Sequence, residues 1–188
     1  MFVVGGCYLP VLVALPRVPP SLTVTDHNLR FDGKSTDAMV IFGFASPRSV
    51  WLAPGIDDGV NWHCGRGGVV RLKAEGGFIV ARLPARVGKT KYAIVATSLE
   101  MEGGQGPSAN GPIWMFDAEP GKVAYLGGFR LGPWSDDGPS IVPDERFKQS
   151  EADDFLTSAF PNVPIHVTTG QMNAGYVSAG DSNGCFLW

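Results

Sequence analysis

Residues 38–45 read "AMVIFGFA", eight positions without a charge or a polar side chain. A run this short and this uniformly apolar is too brief for a buried helix. It matches a strand covered on both faces, or one lying deep in a sandwich. Downstream, "VVRLK" (69–73) alternates, with Val70 and Leu72 turned inward and Arg71 and Lys73 outward. "GFIVARL" (77–83) follows across Glu75, Gly76 and Gly77, which predicts a short hairpin connection. "KYAIVATSLE" (91–100) is rich in β-formers and runs into the glycine-laden "MEGGQGPSANGP". "IWMFDAE" and "KVAYLGGFRL" flank Pro120-Gly121, where Pro presets φ and Gly accepts a positive one, so a tight type II turn is expected. In the second of these strands Val123, Tyr125, Gly127, Phe129 and Leu131 are expected to share one face. "IHVTTG" and "GCFLW" extend the strand pattern to the C-terminal end.

One helix is expected near 151–160. Ser150 suits the N-cap and Asp153 the capping-box position. Ala152, Phe155, Leu156, Ala159 and Phe160 recur at helical spacing, and Pro161 ends the segment. Successive strands with turn signals and one late helix predict a mainly β protein, a β-sandwich, with an open barrel as the alternative.

Composition agrees. The 188 residues suit one domain with a real core. Gly (25) and Pro (15) exceed a fifth of the chain, and only 18% is charged, so long surface helices are disfavoured. Residues 1–25 hold a single charge, Arg17, and four prolines, which suggests a targeting remnant and extended tether ahead of a domain at 26–188. Net charge is −3 with scattered basic residues, which argues against a nucleic-acid partner. No apolar run approaches the roughly 20 residues a spanning helix needs.

Three stretches carry a resemblance: "LPARVGKTKYAIVATSLE", "MFDAEPGKVAYLGGFRL" and "EADDFLTSAFPNVP". In them Tyr92, then Pro120-Gly121-Lys122 with Tyr125 and Gly127, then the acidic helix from Asp153 to Asn162 follow one pattern. The chain from about 36 to 165 thereby resembles uncharacterised bacterial lipoproteins with a small transthyretin- or immunoglobulin-like sandwich. That resemblance implies a cell-envelope location and carries no known catalytic residues. It departs from the family at the N-terminus, where a full signal peptide would stand.

Val4-Gly5-Gly6-Cys7 has the shape of a lipobox, small residues leading to the thiol that takes the lipid, so Cys7 is the candidate attachment point. The positively charged n-region and most of the apolar h-region of a signal peptide do not precede it. Tyr8 rather than an aspartate after the cysteine favours the outer membrane, facing the periplasm, by family analogy. With Cys7 modified, Cys64 and Cys185 form an even pair, a candidate disulfide outside the cytosol.

Other chemistry is weaker. "GDSNG" (180–184) matches Gly-x-Ser-x-Gly, and Ser182 with His63 would make a serine hydrolase, but a nucleophile elbow needs a helix after its serine. "VGKTK" (87–91) lacks the glycine that a phosphate loop places five residues before Gly-Lys; Leu83 stands there. Asp57-Asp58-Gly59 and Asp136-Asp137-Gly138 gather carboxylates that could hold calcium, without the alternating spacing of an EF-type loop. His27, His63 and His166 have no metal-like spacing. Of the tryptophans, Trp62 and Trp134 fall in Gly/Pro-rich stretches beside the aspartate pairs and are the candidate binding-loop residues. The expectation is a lipid-anchored envelope domain, non-catalytic and without cofactor or metal. Its role is structural or in interaction, with a membrane contact through the lipid and a protein or glycan partner. The alternatives are a soluble calcium- or glycan-binding module and, third, the Ser182 hydrolase.

Overall fold

β1 (Asp37–Phe44) is the strand that the apolar run predicts, and both of its faces are buried. This is seen in a computed structural model that describes residues 30–45, 49–59, 61–65, 70–73, 77–85, 90–98, 112–135, 138–163 and 167–176. Val40, Phe42 and Phe44 point into a core between two sheets. Met39 and Ile41 point the other way, under a helix. A strand with apolar groups on both sides is thus the middle of three layers.

The remaining strands are β2 (Ser49–Asp57), β3 (Trp62–Cys64), β4 (Val70–Lys73), β5 (Phe78–Pro84), β6 (Thr90–Ser98), β7 (Pro112–Ala118), β8 (Val123–Ser135), β9 (Gly138–Pro143), β10 (Val167–Thr169) and β11 (Met172–Tyr176). The first sheet runs β10-β8-β1-β5, with β9 also on β8; the second runs β11-β7-β6-β2-β3, with β4 also on β2. The two pack face to face through Val40, Phe42, Ile79 and Leu83 on one side and Leu52, Leu72, Ile94 and Phe116 on the other. Two side chains tie the layers together. Tyr92 donates its hydroxyl to the Pro84 carbonyl at 2.7 Å, and Trp114 Nε1 donates to the Ile141 carbonyl at 2.7 Å. Burial, and secondarily the charge of Asp37, pushes the Tyr92 phenol up to about 12.

The fold is therefore the mainly β, two-sheet sandwich with one helix that the strand pattern predicts. Its connections depart from expectation in three places. β4 and β5 do not form a hairpin across residues 75–77. β4 pairs with β2 in the second sheet and β5 with β1 in the first, so the chain changes layers there. The Pro120-Gly121 turn is present, with the Lys122 amide donating to the Glu119 carbonyl at 3.2 Å and Gly121 at φ +70°, yet it too carries the chain from one sheet to the other.

The third departure concerns β8. Val123 and Tyr125 lie on the helix side, whereas Leu126, Phe129 and Leu131 face the inter-sheet core. The parallel β1–β8 pairing slips between Ile41 and Gly43, opposite Tyr125 and Gly128, and Gly127 sits at φ +94°. A bulge adds one residue and exchanges the two faces beyond it, so a single period-two register cannot hold along the whole strand.

α1 (Gln149–Ala159) lies on the outer face of the first sheet. Ala152, Leu156 and Phe160 are buried there, with Phe155 and Ala159 partly so, as the apolar stripe requires. The helix begins earlier than expected. Lys148 is the N-cap instead of Ser150, and its amide donates to Glu151 Oε2 at 3.3 Å, so Glu151 takes the capping role assigned to Asp153.

Asp144 fixes the approach to α1. Its amide donates to the Gly128 carbonyl at 2.8 Å, and its carboxylate accepts from Arg146 Nε at 2.9 Å and Nη2 at 2.6 Å. The Arg146 guanidinium holds this carboxyl well below its ordinary value, at about 2. The native state therefore favours the ionised form. The stabilisation is complete above the unfolded value of 3.8 and is lost as pH falls from there through about 2. Urea midpoints measured between pH 5 and 2 should fall less steeply in Asp144→Asn than in the wild type; identical slopes would show that the pair is not coupled to folding.

Candidate functional site

One end of the sandwich gathers a row of charged side chains among the described residues. It starts at the β2–β3 turn, where the Asp-Asp-Gly sequence acts as a turn former. Asp57 Oδ1 accepts from the Gly59 amide at 2.9 Å, and Asp58 Oδ1 accepts from the Asn61 amide at 2.8 Å. The other oxygens meet cations or a histidine: Asp57 Oδ2 lies 3.0 Å from Lys91 Nζ, and Asp58 Oδ2 lies 2.9 Å from His63 Nε2. The Gly59 amide, then Lys91, lowers the Asp57 carboxyl below its ordinary value.

Lys91 continues the row to Asp117, its direct cross-strand partner, 3.8 Å away. Asp57, Lys91 and Asp117 alternate in sign across β2, β6 and β7 on the outer face of the second sheet. Beside them opens a cleft of about 360 Å³, between the ends of β7 and β8 and the short link from β10 to β11. Its floor includes Val40, Phe116 and Ala124, and its walls carry Lys91, Asp117, Glu119, Lys122, Gln171 and Asn173. That volume is within the range of small-ligand sites. The walls balance two cations against two anions and add two carboxamides, which suits a ligand rich in hydrogen-bonding groups and not an apolar one. The two threonine hydroxyls at the rim are already engaged, Thr168 with the Val123 carbonyl at 3.2 Å and Thr169 with Gln149 Oε1 at 2.8 Å.

The structure distributes the sequence-derived candidates differently. Trp62 is not a loop residue. It lies in β3 and is fully buried against Ala53 and Ala93 on the second sheet, because Gly55 leaves room for its ring. Trp134 also belongs to a strand, β8, and not to a loop. Cys64 is half-buried at the end of β3, beside the Trp62 cluster. Cys7, Ser182 and Cys185 lie outside the described residues, as do His27, His166, Asp136 and Asp137. Among the described residues no group of three or more His, Cys, Asp or Glu side chains could hold a metal ion, and no helix is long and apolar enough to cross a membrane.

Sequence reasoning did not find the cleft. Its walls come from positions 91, 117–122 and 171–173, and only the two sheet edges bring them together. The one usable signal was the interruption of apolar strands by Lys91 and Asp117, charged residues beside Tyr92 and Phe116.

The fold and this end of it define a two-sheet β-sandwich, with an external helix and a charge-balanced cleft at one edge. No protein-family model, curated protein or solved structure matches the chain.

Proposed function

We propose that the chain is a non-catalytic contact module of the bacterial cell envelope, of the transthyretin- or immunoglobulin-like sandwich type. In this reading a lipid on Cys7 holds it to the outer membrane, facing the periplasm. The cleft between the β7–β8 turn and the β10–β11 link receives a polar partner segment, glycan or peptide. The single observation behind this role is the lining of the cleft. Lys91, Asp117, Glu119 and Lys122 cancel in charge while Gln171 and Asn173 offer both donors and acceptors. The glycan or peptide arm is favoured over calcium because the Asp57 and Asp58 oxygens already face amides, Lys91 and His63. The anchor rests on Val4-Gly5-Gly6-Cys7.

Two experiments test the two halves. Expressed with a lipoprotein signal sequence, the wild type should fractionate with membranes and incorporate labelled fatty acid, and Cys7→Ala should do neither. Equal label in the variant would end the anchor reading. Amide chemical shifts should move around Asn173 and Lys122 on titration with a neutral N-acetylated oligosaccharide or a short zwitterionic peptide. Asn173→Trp, at an exposed edge position, should weaken that response by about ten-fold or more, a loss of about 1.4 kcal/mol. Shifts that stay flat with both probes would remove the cleft as the contact site.

A further inference from the structure

The turn that leads into β1, the end of β5 and the segment that leaves α1 surround an open cleft of about 650 Å³. Three cations line it, Arg30, Lys34 and Arg82, against one carboxylate, Asp32. It shares no lining residue with the cleft at the β7–β8 turn.

The cations stand on a fixed frame. Phe31, next to Arg30, is buried in the cluster under α1. Asp32 Oδ1 accepts from the Lys34 amide at 3.0 Å, and the Asp32 carbonyl accepts from the Ser35 amide at 3.1 Å, which closes the turn. Across the cleft, Arg82 stands opposite Met39 in the β1–β5 pairing and so belongs to the helix side of the first sheet. Asn162 follows α1 in a turn closed by the Val163 amide on the Phe160 carbonyl at 3.0 Å.

Arg82 donates its Nε to Asp37 Oδ2 at 2.6 Å, which orients the guanidinium. Among the described residues no hydrogen bond engages its two terminal nitrogens, and no ion pair engages Arg30 or Lys34. Setting Asp37 as well as Asp32 against the three cations still leaves an excess of positive charge, in a chain whose net charge is −3.

We infer that this cleft binds the phosphate group of a small phosphorylated sugar or polyol. Guanidinium groups match oxyanions through paired N–H donors. A phosphate ester offers three outward oxygens to cations arriving from two sides, where a carboxylate offers two. The cleft is roomier than a phosphate alone requires, and its size falls within the range of small-ligand sites. The remaining lining suits hydroxyl groups. Ser35 Oγ accepts from the Asp37 amide at 3.2 Å and keeps its own O–H as a donor, while Thr36 and the exposed Asn162 carboxamide add further donors and acceptors.

The test titrates the full chain with glucose 6-phosphate, glucose and inorganic phosphate while amide chemical shifts are followed. Saturable shifts at residues 31–36 and 82 are expected with glucose 6-phosphate, weakened by competing inorganic phosphate and absent with glucose alone. An Arg30→Gln, Lys34→Gln double variant, altered only at exposed positions, should bind glucose 6-phosphate about ten-fold more weakly or worse. Arg130→Gln, which removes an exposed cation outside the cleft, should stay within about two-fold of the wild type. Equal weakening in both variants would reduce the effect to general charge screening and overturn the inference, as would flat shifts in the wild type. Binding to phosphatidylglycerol vesicles without a response to glucose 6-phosphate would assign the cations to a membrane surface and overturn it too. If the double variant does not fold, the wild-type titration with its phosphate competition decides.

Discussion

Phe42→Ala is expected to remove about 3–5 kcal/mol of stability. Phe42 is fully buried at the centre of β1, and its ring meets that of Phe129 edge-on at 6.3 Å. It lies in the middle layer, with a sheet on one side and, beyond its own backbone, the Met39 and Ile41 contacts to α1 on the other. Neither sheet can settle into the vacated volume without disturbing a layer already packed against something else, so the cavity term adds to the lost transfer energy. Urea unfolding of the two proteins measures the difference. A loss below about 1 kcal/mol would mean that the two-sheet interface is not close-packed at this point.

Gly121→Ala is expected to cost about 2–4 kcal/mol, for two separate reasons. Gly121 occupies the left-handed region at φ +70°, where a Cβ is strained against its own backbone. A Cβ there would also run into the carbonyl oxygen of Gly33, a backbone atom that cannot rotate aside. Gly59 separates the two contributions. It has φ +87° but open space around its Cβ position, so Gly59→Ala should show the conformational cost alone, about 1 kcal/mol. Thermal and urea melts of the three proteins should rank wild type, then Gly59→Ala, then Gly121→Ala. Equal losses in the two variants would mean that the Gly33 approach does not constrain the turn.

Much of this architecture was legible in local chemistry. The uniform apolarity of 38–45 gave a two-sided strand, the alternation in 69–73 gave Val70 and Leu72 as core, and the spacing of Ala152, Leu156 and Phe160 gave the helix face. In each case a residue's own period decides where it points. Which sheet a strand joins is a different matter, because it depends on pairing with distant segments. The β4–β5 and β7–β8 connections therefore read as local turns, while the strands they join lie in different layers. β2 was hidden by Pro54 and Gly55, residues that ordinarily argue against an interior strand. It is nonetheless paired on both sides: Pro54 stands opposite Tyr92, and its carbonyl accepts from the Gly65 amide at 2.8 Å. Trp62 was read as a loop residue because three residues of strand in a Gly-rich stretch leave no periodicity to detect. The candidate site was the least legible part. The Asp-Asp-Gly turn could be recognised from its residue types, but the cleft beside it exists only once two sheet edges meet.

The parallel pairing of β1 with β8 has a consequence for synthesis. Met39 is matched to Val123, so the strand at the centre of the molecule waits for a partner made more than eighty codons later. During translation β5 can dock on one flank of β1 early, while the other flank, with Ile41 and Phe42 beside it, has no mate until the ribosome has passed residue 123. Long-range closure of this kind is slow and leaves an adhesive border in the nascent polypeptide. The central sheet can therefore be completed only after residue 123 has been made, and until then that border stays open to pairing with another chain.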